Sequence, residues 1–400
     1  MKVLVADKLE VSALEGLKQL GCEVVSEPTL DGESLIEKIG SVDPDVLVVR
    51  STKVPKAAIE AGKSISLIIR AGAGYNTIDV EAASEKGVYV ANCPGKNSIA
   101  VAELAFGLIL ACDRMIADNV IELRRGKWNK KAFSKGKGLY GSTLGLIGMG
   151  NIAQEMIPRA KAFGMNVMAF SRWMMPEAAA ALGIARAESL KEIAEQCDAI
   201  SVHVALSPQT KGILDQKFFD SMKPGAIFVN TSRAEVVDQA ALIAVVQAGK
   251  IRAGLDVFEG EPSGGEGDYA GELCDIEGIY CTHHIGASTE QAQEAVAAEV
   301  VRIVHEYKQT GIVPNVVNIS KGAAVSNLLV VRHQDKVGVL AHVLDVLKSE
   351  GVSVQEMENI ILGSAKSAIA QIALDKEVSP TGLAAIRSNT AVFDVVQLPA

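Results

Sequence analysis

Residues 144–153 read LGLIGMGNIA, and this stretch decides the architecture around it. The apolar run Thr143–Ile147 has the composition of a buried strand, and a helical pattern follows over Ile152–Phe163. Between them Gly148, Gly150 and Ala153 take the three small-residue places of G-x-G-x-x-G/A. The first glycine makes a tight turn, and the second lets the backbone approach a pyrophosphate. The small third residue lets the helix pack on the strand. Asn151 and Ile152 then open a helix whose free N–H groups and positive dipole suit phosphate. A dinucleotide is the ligand such a turn serves.

Working outward, further strands are expected at Asn166–Ala169, Ala199–His203, Ala226–Asn230, Ile251–Leu255 and Ile279–Cys281. Helices fall between them at Ser189–Glu195, Gln216–Ser221 and Gln239–Ala248. Six parallel strands with one glycine-rich first turn describe a doubly wound Rossmann domain. Upstream, strands at Val3–Ala6, Val24–Val25, Val46–Val49, Leu67–Ile69 and Val88–Val90 alternate with helices at Glu10–Leu20, Gly32–Ile39 and Lys56–Ala61. That alternation predicts a second parallel sheet covered on both faces.

Downstream of Ser326 the pattern changes to strand Asn327–Arg332, helix Val337–Ser349, strands Ser353–Ile361 and Ser367–Ala373, helix Ser379–Ser388 and strand Ala391–Gln397. This βαββαβ order makes a small antiparallel sheet with helices on one face. Gly338 is expected to turn the chain into its first helix, with Val339, Leu340, Val343, Leu344 and Leu347 as the buried stripe. Residues 311–322 join this unit to the rest. The fold class is therefore α/β: two doubly wound parallel-sheet domains and a C-terminal βαββαβ domain.

Four hundred residues exceed one hydrophobic core, and 48% hydrophobic against 22% charged is a globular balance. A net charge of −9 argues against a nucleic-acid surface, so any anion must be met by locally gathered positive charge. The cysteines at 22, 93, 112, 197, 274 and 281 form no C-x-x-C pair and read as free thiols of a reducing compartment. The opening MKVLVADKLE runs straight into a strand pattern rather than a signal peptide. The most apolar helical stretch, Ile99–Cys112, contains Glu103 and is too short to span a bilayer. A cytoplasmic setting with no membrane and no metal is expected.

Three segments follow predicted strands: 230–238 (NTSRAEVVD), 254–262 (GLDVFEGEP) and 282–288 (THHIGAS). They should meet at the carboxyl edge of the sheet, where ligands bind. Oxidising a secondary alcohol needs a base for the hydroxyl proton while hydride leaves to a nicotinamide, and histidine titrates near neutrality. A carboxylate beside it favours the protonated ring, and an arginine holds a carboxylate with two parallel hydrogen bonds. Arg233, Glu261 and His284 supply those three chemistries. Thr231, Ser232, Gly286 and Ala287 flank them as expected cofactor contacts. At the end of the second Rossmann strand stand Ser171 and Arg172 rather than the acidic residue that bonds ribose hydroxyls. Arg172 could pair with a 2′-phosphate, so NAD and NADP both stay open.

These three segments resemble the D-isomer-specific 2-hydroxyacid dehydrogenases over essentially the whole chain. The resemblance implies Arg233, Glu261 and His284 as catalytic residues and Asp256 as a contact of the nicotinamide amide. Ala234 stands where the family usually has glycine, and His283 where it has proline. Only His284 matches the motif histidine. The resemblance also implies a split substrate domain of residues 1–97 and 289–312 and a dinucleotide domain of 98–288.

The segments after Val49 (Arg50-Ser51-Thr52-Lys53-Val54) and beginning at Arg70 (Arg70-Ala71-Gly72-Ala73-Gly74) are similar to those of the family's phosphoglycerate branch. By that similarity Arg50, Ser51, Lys53, Arg70, Ala71, Gly72 and Asn97 grip the substrate with Arg233, with Arg50 and Lys53 near its phosphate. The implied reaction is oxidation of 3-phospho-D-glycerate to 3-phosphohydroxypyruvate, the opening step of L-serine biosynthesis, in a homodimer or homotetramer. Asn76 and Lys130 depart from the branch's common residues, and Lys130 keeps charge without bidentate geometry. The alternatives are an NADPH-dependent glyoxylate or hydroxypyruvate reductase and a dinucleotide-sensing, corepressor-like interaction protein. Residues 326–400 resemble an ACT domain, which implies a serine effector site at His333, Asp335 and Ser353; the last two stand where serine-binding examples carry asparagine.

Overall fold

The computed structural model describes residues 1–262, 267–320 and 325–399, the side chain of Cys274 excepted. Residues 321 and 322 of the expected joining segment, and the Cys274 thiol, lie outside the described residues. The chain forms two compact units, residues 1–318 and 319–400.

The first unit holds two parallel sheets. The five-stranded one comprises β1 (Lys2–Val5), β2 (Glu23–Ser26), β3 (Val46–Val49), β4 (Leu67–Arg70) and β5 (Tyr89–Asn92) in the order β2-β1-β3-β4-β5. Strands β1, β3 and β4 carry short continuous apolar runs because both faces of the sheet are covered there. Leu4, Leu47 and Ile68 point toward Leu35, Ile39 and Ile59 of the helices Gly32–Val42 and Lys56–Ala61. Val3, Val46 and Leu67 point the other way, against Leu17 of Val11–Gln19 and against Val300, Ile303 and Val304 of Glu290–Thr310. Those last three are fully buried, worth about 1.5–3 kcal/mol each. A helix some two hundred residues downstream thus closes the first sheet.

The second sheet comprises β6 (Thr143–Ile147), β7 (Asn166–Phe170), β8 (Ala185–Arg186), β9 (Ala199–Val202), β10 (Ala226–Asn230), β11 (Ile251–Leu255) and β12 (Ile279–Cys281), ordered β12-β11-β10-β9-β6-β7-β8. The sequence reading has six strands here. The seventh, β8, is two residues long and paired to β7 through Met168 and Ala169, with no apolar run to betray it. The helix Pro176–Leu182 before it, also unread, carries proline in its first turn and Gly183 as a left-handed cap, both ordinary helix-end signals. The helix Ser98–Arg114 leaves the first sheet and buries Ala105, Phe106 and Ile109 against Leu144, Leu146 and Val229 of the second. The chain therefore crosses between sheets near residues 93–97 and 286–289, and a cleft opens where it crosses.

The second unit is the expected βαββαβ fold, with β13 (Asn327–Gln334), β14 (Val354–Ile361), β15 (Ser367–Leu374) and β16 (Val392–Pro399) antiparallel in the order β14-β15-β13-β16. Gly338 starts the helix Val339–Ser349 at φ +93°, a conformation glycine adopts without a Cβ penalty. The buried stripe is narrower than expected. Val339, Val343 and Leu347 face the sheet, Leu340 is partly covered, and Leu344 is exposed because it lies about 100° round the helix from Val343.

Candidate active site

Strands β10, β11 and β12 are parallel neighbours, so the three segments read as strand ends leave the sheet side by side. After β10, Asn230 accepts from the N–H and hydroxyl of Ser232 and donates to the Arg233 carbonyl, which fixes the turn carrying Arg233. After β11 comes Asp256, 1% exposed. Its Oδ1 accepts from the Thr282 hydroxyl at 2.6 Å and the Ile285 N–H at 2.9 Å, and its Oδ2 accepts from the Gly286 N–H at 2.8 Å. This buried carboxylate clamps the 282–286 turn, inside which His284 has φ +52°, a strained value for a residue with a Cβ.

His284 Nδ1 lies 2.8 Å from Glu261 Oε2, and the other Glu261 oxygen accepts from the Phe258 N–H. The Glu261 hydrogen bond lifts the His284 pKa above its ordinary value, against the opposing effect of burial. Burial pushes the Glu261 carboxyl up, but the His284 and Phe258 hydrogen bonds outweigh it and leave the carboxyl below its ordinary value. The pair sets an imidazole, the group best suited to exchange a proton near neutral pH, against a carboxylate that holds it in place.

Across the cleft stand the side chains of the first sheet. The cleft holds about 960 Å³, and its lining includes the expected residues Arg50, Ser51, Arg70, Asn97, Arg233, Glu261 and His284 beside others the sequence reading did not mark. Arg70 donates through Nε to the Arg50 carbonyl at 3.0 Å. A Cβ on Gly72 would sit 1.7 Å from Arg70 Nη1, and one on Gly74 2.1 Å from Arg233 Nη2, so a side chain at either place would make that guanidinium move. Burial, then the charges of Arg233 and Arg50, bring the Arg70 pKa down to about 10. Lys53 is not brought in: Val54 is fully buried and bridges to Ile78, which turns its neighbour outward. His283 is exposed and does not line the cleft.

The dinucleotide turn forms at the end of β6. Gly148 adopts φ +95°, and a Cβ there would lie 2.6 Å from the His203 carbonyl oxygen. A Cβ on Gly150 would meet nothing within 4 Å, and no side chain caps the helix Asn151–Ala162 that follows. Its first N–H groups, those of Asn151 and Ile152 among them, therefore face an open approach. The Gly148 N–H donates to the Phe170 carbonyl at the end of β7, which sets Ser171 and exposed Arg172 beside the turn with no carboxylate. The Thr231 hydroxyl is buried without a partner at the same edge. An open cradle, uncapped helix amides and an orphaned buried hydroxyl fit a dinucleotide.

Residues 106–286 match the family model "D-isomer specific 2-hydroxyacid dehydrogenase, NAD binding domain". A hydroxypyruvate reductase of Thermotoga maritima is 44% identical over 313 residues, covering 78% of this chain and 99% of that protein. The chain belongs to the D-isomer-specific 2-hydroxyacid dehydrogenase family. Its dinucleotide is NAD, the ligand of the matched domain. A second relative, the D-3-phosphoglycerate dehydrogenase of Methanocaldococcus jannaschii, is 42% identical over 321 residues, 80% of this chain; the chain spans 60% of that protein's length. Among solved structures, NAD⁺-bound 3-phosphoglycerate dehydrogenase of Entamoeba histolytica matches 80% of this chain and 99% of its own, at 27% identity and a TM-score of 0.66. Among the described residues no helix is long and apolar enough to cross a membrane.

Asp7 and Gln293 are among the cleft side chains that the sequence reading missed. Asp7 follows β1, and its Oδ2 gathers the N–H groups of Arg50, Ser51 and Thr52 at 2.6, 3.1 and 3.0 Å. Its place just past a strand's carboxyl end is the signal that would have found it. Gln293 accepts from Arg50 Nη1 at 3.2 Å, and nothing in its sequence context marks it. In the C-terminal unit His333 is 1% exposed, with Nδ1 at 2.7 Å from the Gln334 carbonyl and Nε2 at 3.1 Å from Asn359 Oδ1. Asp335 and Ser353 are exposed. The imidazole leaves no ring nitrogen for an outside ligand.

Proposed function

We propose that this dehydrogenase oxidises 3-phospho-D-glycerate to 3-phosphohydroxypyruvate with NAD, the first step of L-serine biosynthesis. The observation that carries the reading is the convergence of Arg50, Arg70 and Arg233 on one cleft, close enough for Arg50 and Arg233 to help lower the Arg70 pKa. One carboxylate needs a single guanidinium; a carboxylate plus a doubly charged phosphate needs several. The phosphoglycerate dehydrogenase relatives support the same substrate.

In this reading Arg233 holds the substrate carboxylate and the oxygen that becomes the carbonyl. His284 takes the hydroxyl proton, and Glu261 orients the ring and stabilises its protonated form. Bound NAD supplies the acceptor for the hydride leaving the same carbon. Residues 1–97 with 289–312 form the substrate domain, 98–288 the dinucleotide domain, and 326–400 an ACT-like domain. The setting is the cytoplasm. The assembly is a homodimer or homotetramer, a reading supported by the helix Ile116–Arg124, which buries none of its residues within the chain and exposes Ile116, Val120, Ile121 and Leu123.

A second reading, a hydroxypyruvate or glyoxylate reductase using NADPH, is favoured by the Thermotoga maritima relative and by Arg172 without a carboxylate at the end of β7. Following NADH absorbance with phosphohydroxypyruvate and with glyoxylate separates the two. The phosphorylated substrate should give the higher kcat/KM by roughly tenfold or more, the worth of one charge-assisted contact. Equal values, or a preference for glyoxylate with NADPH, would favour the second reading.

A further inference from the structure

Parallel pairing sets position 7 beside position 50. Val3 pairs with Val46 and Val5 with Val48, so the chain reaches Asp7 past the end of β1 where it reaches Arg50 past the end of β3. Asp7 is itself pinned by a bridge to Thr29. Its Oδ2 accepts from the N–H groups of Arg50 at 2.6 Å, Ser51 at 3.1 Å and Thr52 at 3.0 Å. Successive N–H groups converging on one oxygen form a nest, a concavity that favours anions. Here the chain's own carboxylate fills it.

The same loop bounds the cleft, which Asp7, Arg50 and Ser51 all line. The loop is tied at other points too. The Arg50 carbonyl accepts from Arg70 Nε at 3.0 Å, Arg50 Nη1 donates to Gln293 at 3.2 Å, and the Thr52 hydroxyl donates to the Leu30 carbonyl at 3.1 Å. The Arg50 backbone is therefore fixed at its N–H by Asp7 and at its carbonyl by Arg70. By charge alone, a carboxylate at the edge of an anion-binding cleft works against the anion. Its compensating gain is geometric: charge-assisted bonds anchor the loop, and a well-placed guanidinium binds better than a wandering one.

We propose that Asp7 is a positioning residue for substrate binding: it fills the nest at 50–52, so that the loop offers the side chains of Arg50 and Ser51, and not its own N–H groups, to the substrate's phosphate. Asp7 acts through Arg50 and touches no substrate itself. This role rests on the proposed function, in which Arg50 meets that phosphate.

The test follows NADH consumption by the full chain with phosphohydroxypyruvate and with glyoxylate. Asp7→Ala should raise the KM for phosphohydroxypyruvate roughly tenfold, with kcat and the glyoxylate KM each within about twofold. Asp7→Asn keeps a weaker acceptor and should raise the same KM about threefold. Formate, a carboxylate small enough to enter the emptied nest, should lower the raised KM of Asp7→Ala but not the KM of the starting protein. On an Arg50→Ala background, Asp7→Ala should add less than about twofold, because the two side chains act as a unit. An unchanged or lowered KM in Asp7→Ala would show that the carboxylate only repels substrate, and a loss confined to kcat, or equal on both substrates, would show a general structural role; each overturns the proposal. So does an Asp7→Ala effect as large on the Arg50→Ala background as on the starting protein, or formate acting alike on variant and starting protein. If Asp7→Ala does not fold, Asp7→Asn decides, and no change in either constant overturns the proposal equally. Arg50→Ala alone separates this role from the reading beneath it. If that variant does not discriminate between the two acids, the phosphate reading fails; if it does and Asp7→Ala is silent, only the role of Asp7 falls.

Discussion

The two walls of the cleft are built on opposite electrostatic plans. On the side of β10, β11 and β12, charge meets charge: His284 has Glu261 at 2.8 Å, and Asp256 takes three donors of the loop that holds His284. On the side of β3 and β4, like charges meet: Arg70 lies near Arg50 and near Arg233 of the facing wall, held by a backbone carbonyl and tucked against Gly72. Asp7 touches the backbone of that wall rather than its guanidinium groups. The His284–Glu261 pair is complete within the chain, whereas Arg70 is bonded to a backbone carbonyl and lies near two other cations; under the proposed function the first would move the proton and the second would meet the anionic substrate. Preorganised charge of that kind gives binding and positioning, and a preset histidine pair gives chemistry.

Mutations should separate the two walls in that sense. The largest expected effect is on the His284 wall: His284→Ala should lower kcat by about a thousandfold, the middle of the range for one acid–base group. His283→Ala should leave kcat nearly unchanged in the same steady-state assay, and the reverse pattern would break the assignment. Next comes the anion wall. Arg50→Ala should raise the KM for 3-phosphoglycerate roughly tenfold with kcat kept and with glyoxylate little affected. Equal losses on both substrates would mean that the wall does not read phosphate.

A smaller effect tests how the walls differ in pH response. Alcohol oxidation needs neutral His284, and Glu261 holds its pKa above the ordinary value, so the rate should fall as pH drops through that raised value. Glu261→Gln removes the charge, so the acid limb of the kcat/KM profile should move to lower pH, with a loss of about tenfold at neutral pH. A limb that stays in place would show that Glu261 only packs.

The smallest effect is on stability, outside both walls. Glu299 is buried near the crossing at Lys96 and bonded by Arg302, Lys96 and Asn315, which hold its pKa at about 2 against an ordinary 4.5. A depressed carboxyl contributes stability that is complete above pH 4.5 and lost as pH falls toward 2. Glu299→Gln should therefore lower the thermal midpoint by a few degrees, about 1–2 kcal/mol, at neutral pH and by progressively less in acid.

Much of this was legible along the chain. Continuous apolar runs announced the parallel strands, and the Gly148 turn announced the dinucleotide, because buried strands and tight turns write themselves into composition locally. The strand β8 was not legible, since two residues carry no period. Leu344 was placed on the wrong side because the periodicity locates a stripe only to within one residue. Arg233, Glu261 and His284 stood out as candidates because each follows a strand and supplies a fitting chemistry, and Asp7 obeys the same rule but lacked such a neighbour. Gln293 belongs to a different class: its contact with Arg50 depends on which segment lies opposite.

The sequence by itself determined the α/β class, the dinucleotide turn at 148–153 and the identity of the groups able to move a proton or hold an anion. These depend on residue type and on spacings of a few residues. Only the tertiary structure decided that His284 is strained and clamped by Asp256, that three arginines face one another and that Lys53 stays outside. Each of those facts depends on distances between segments far apart in sequence, set when apolar faces pack and bring strand ends to a common edge.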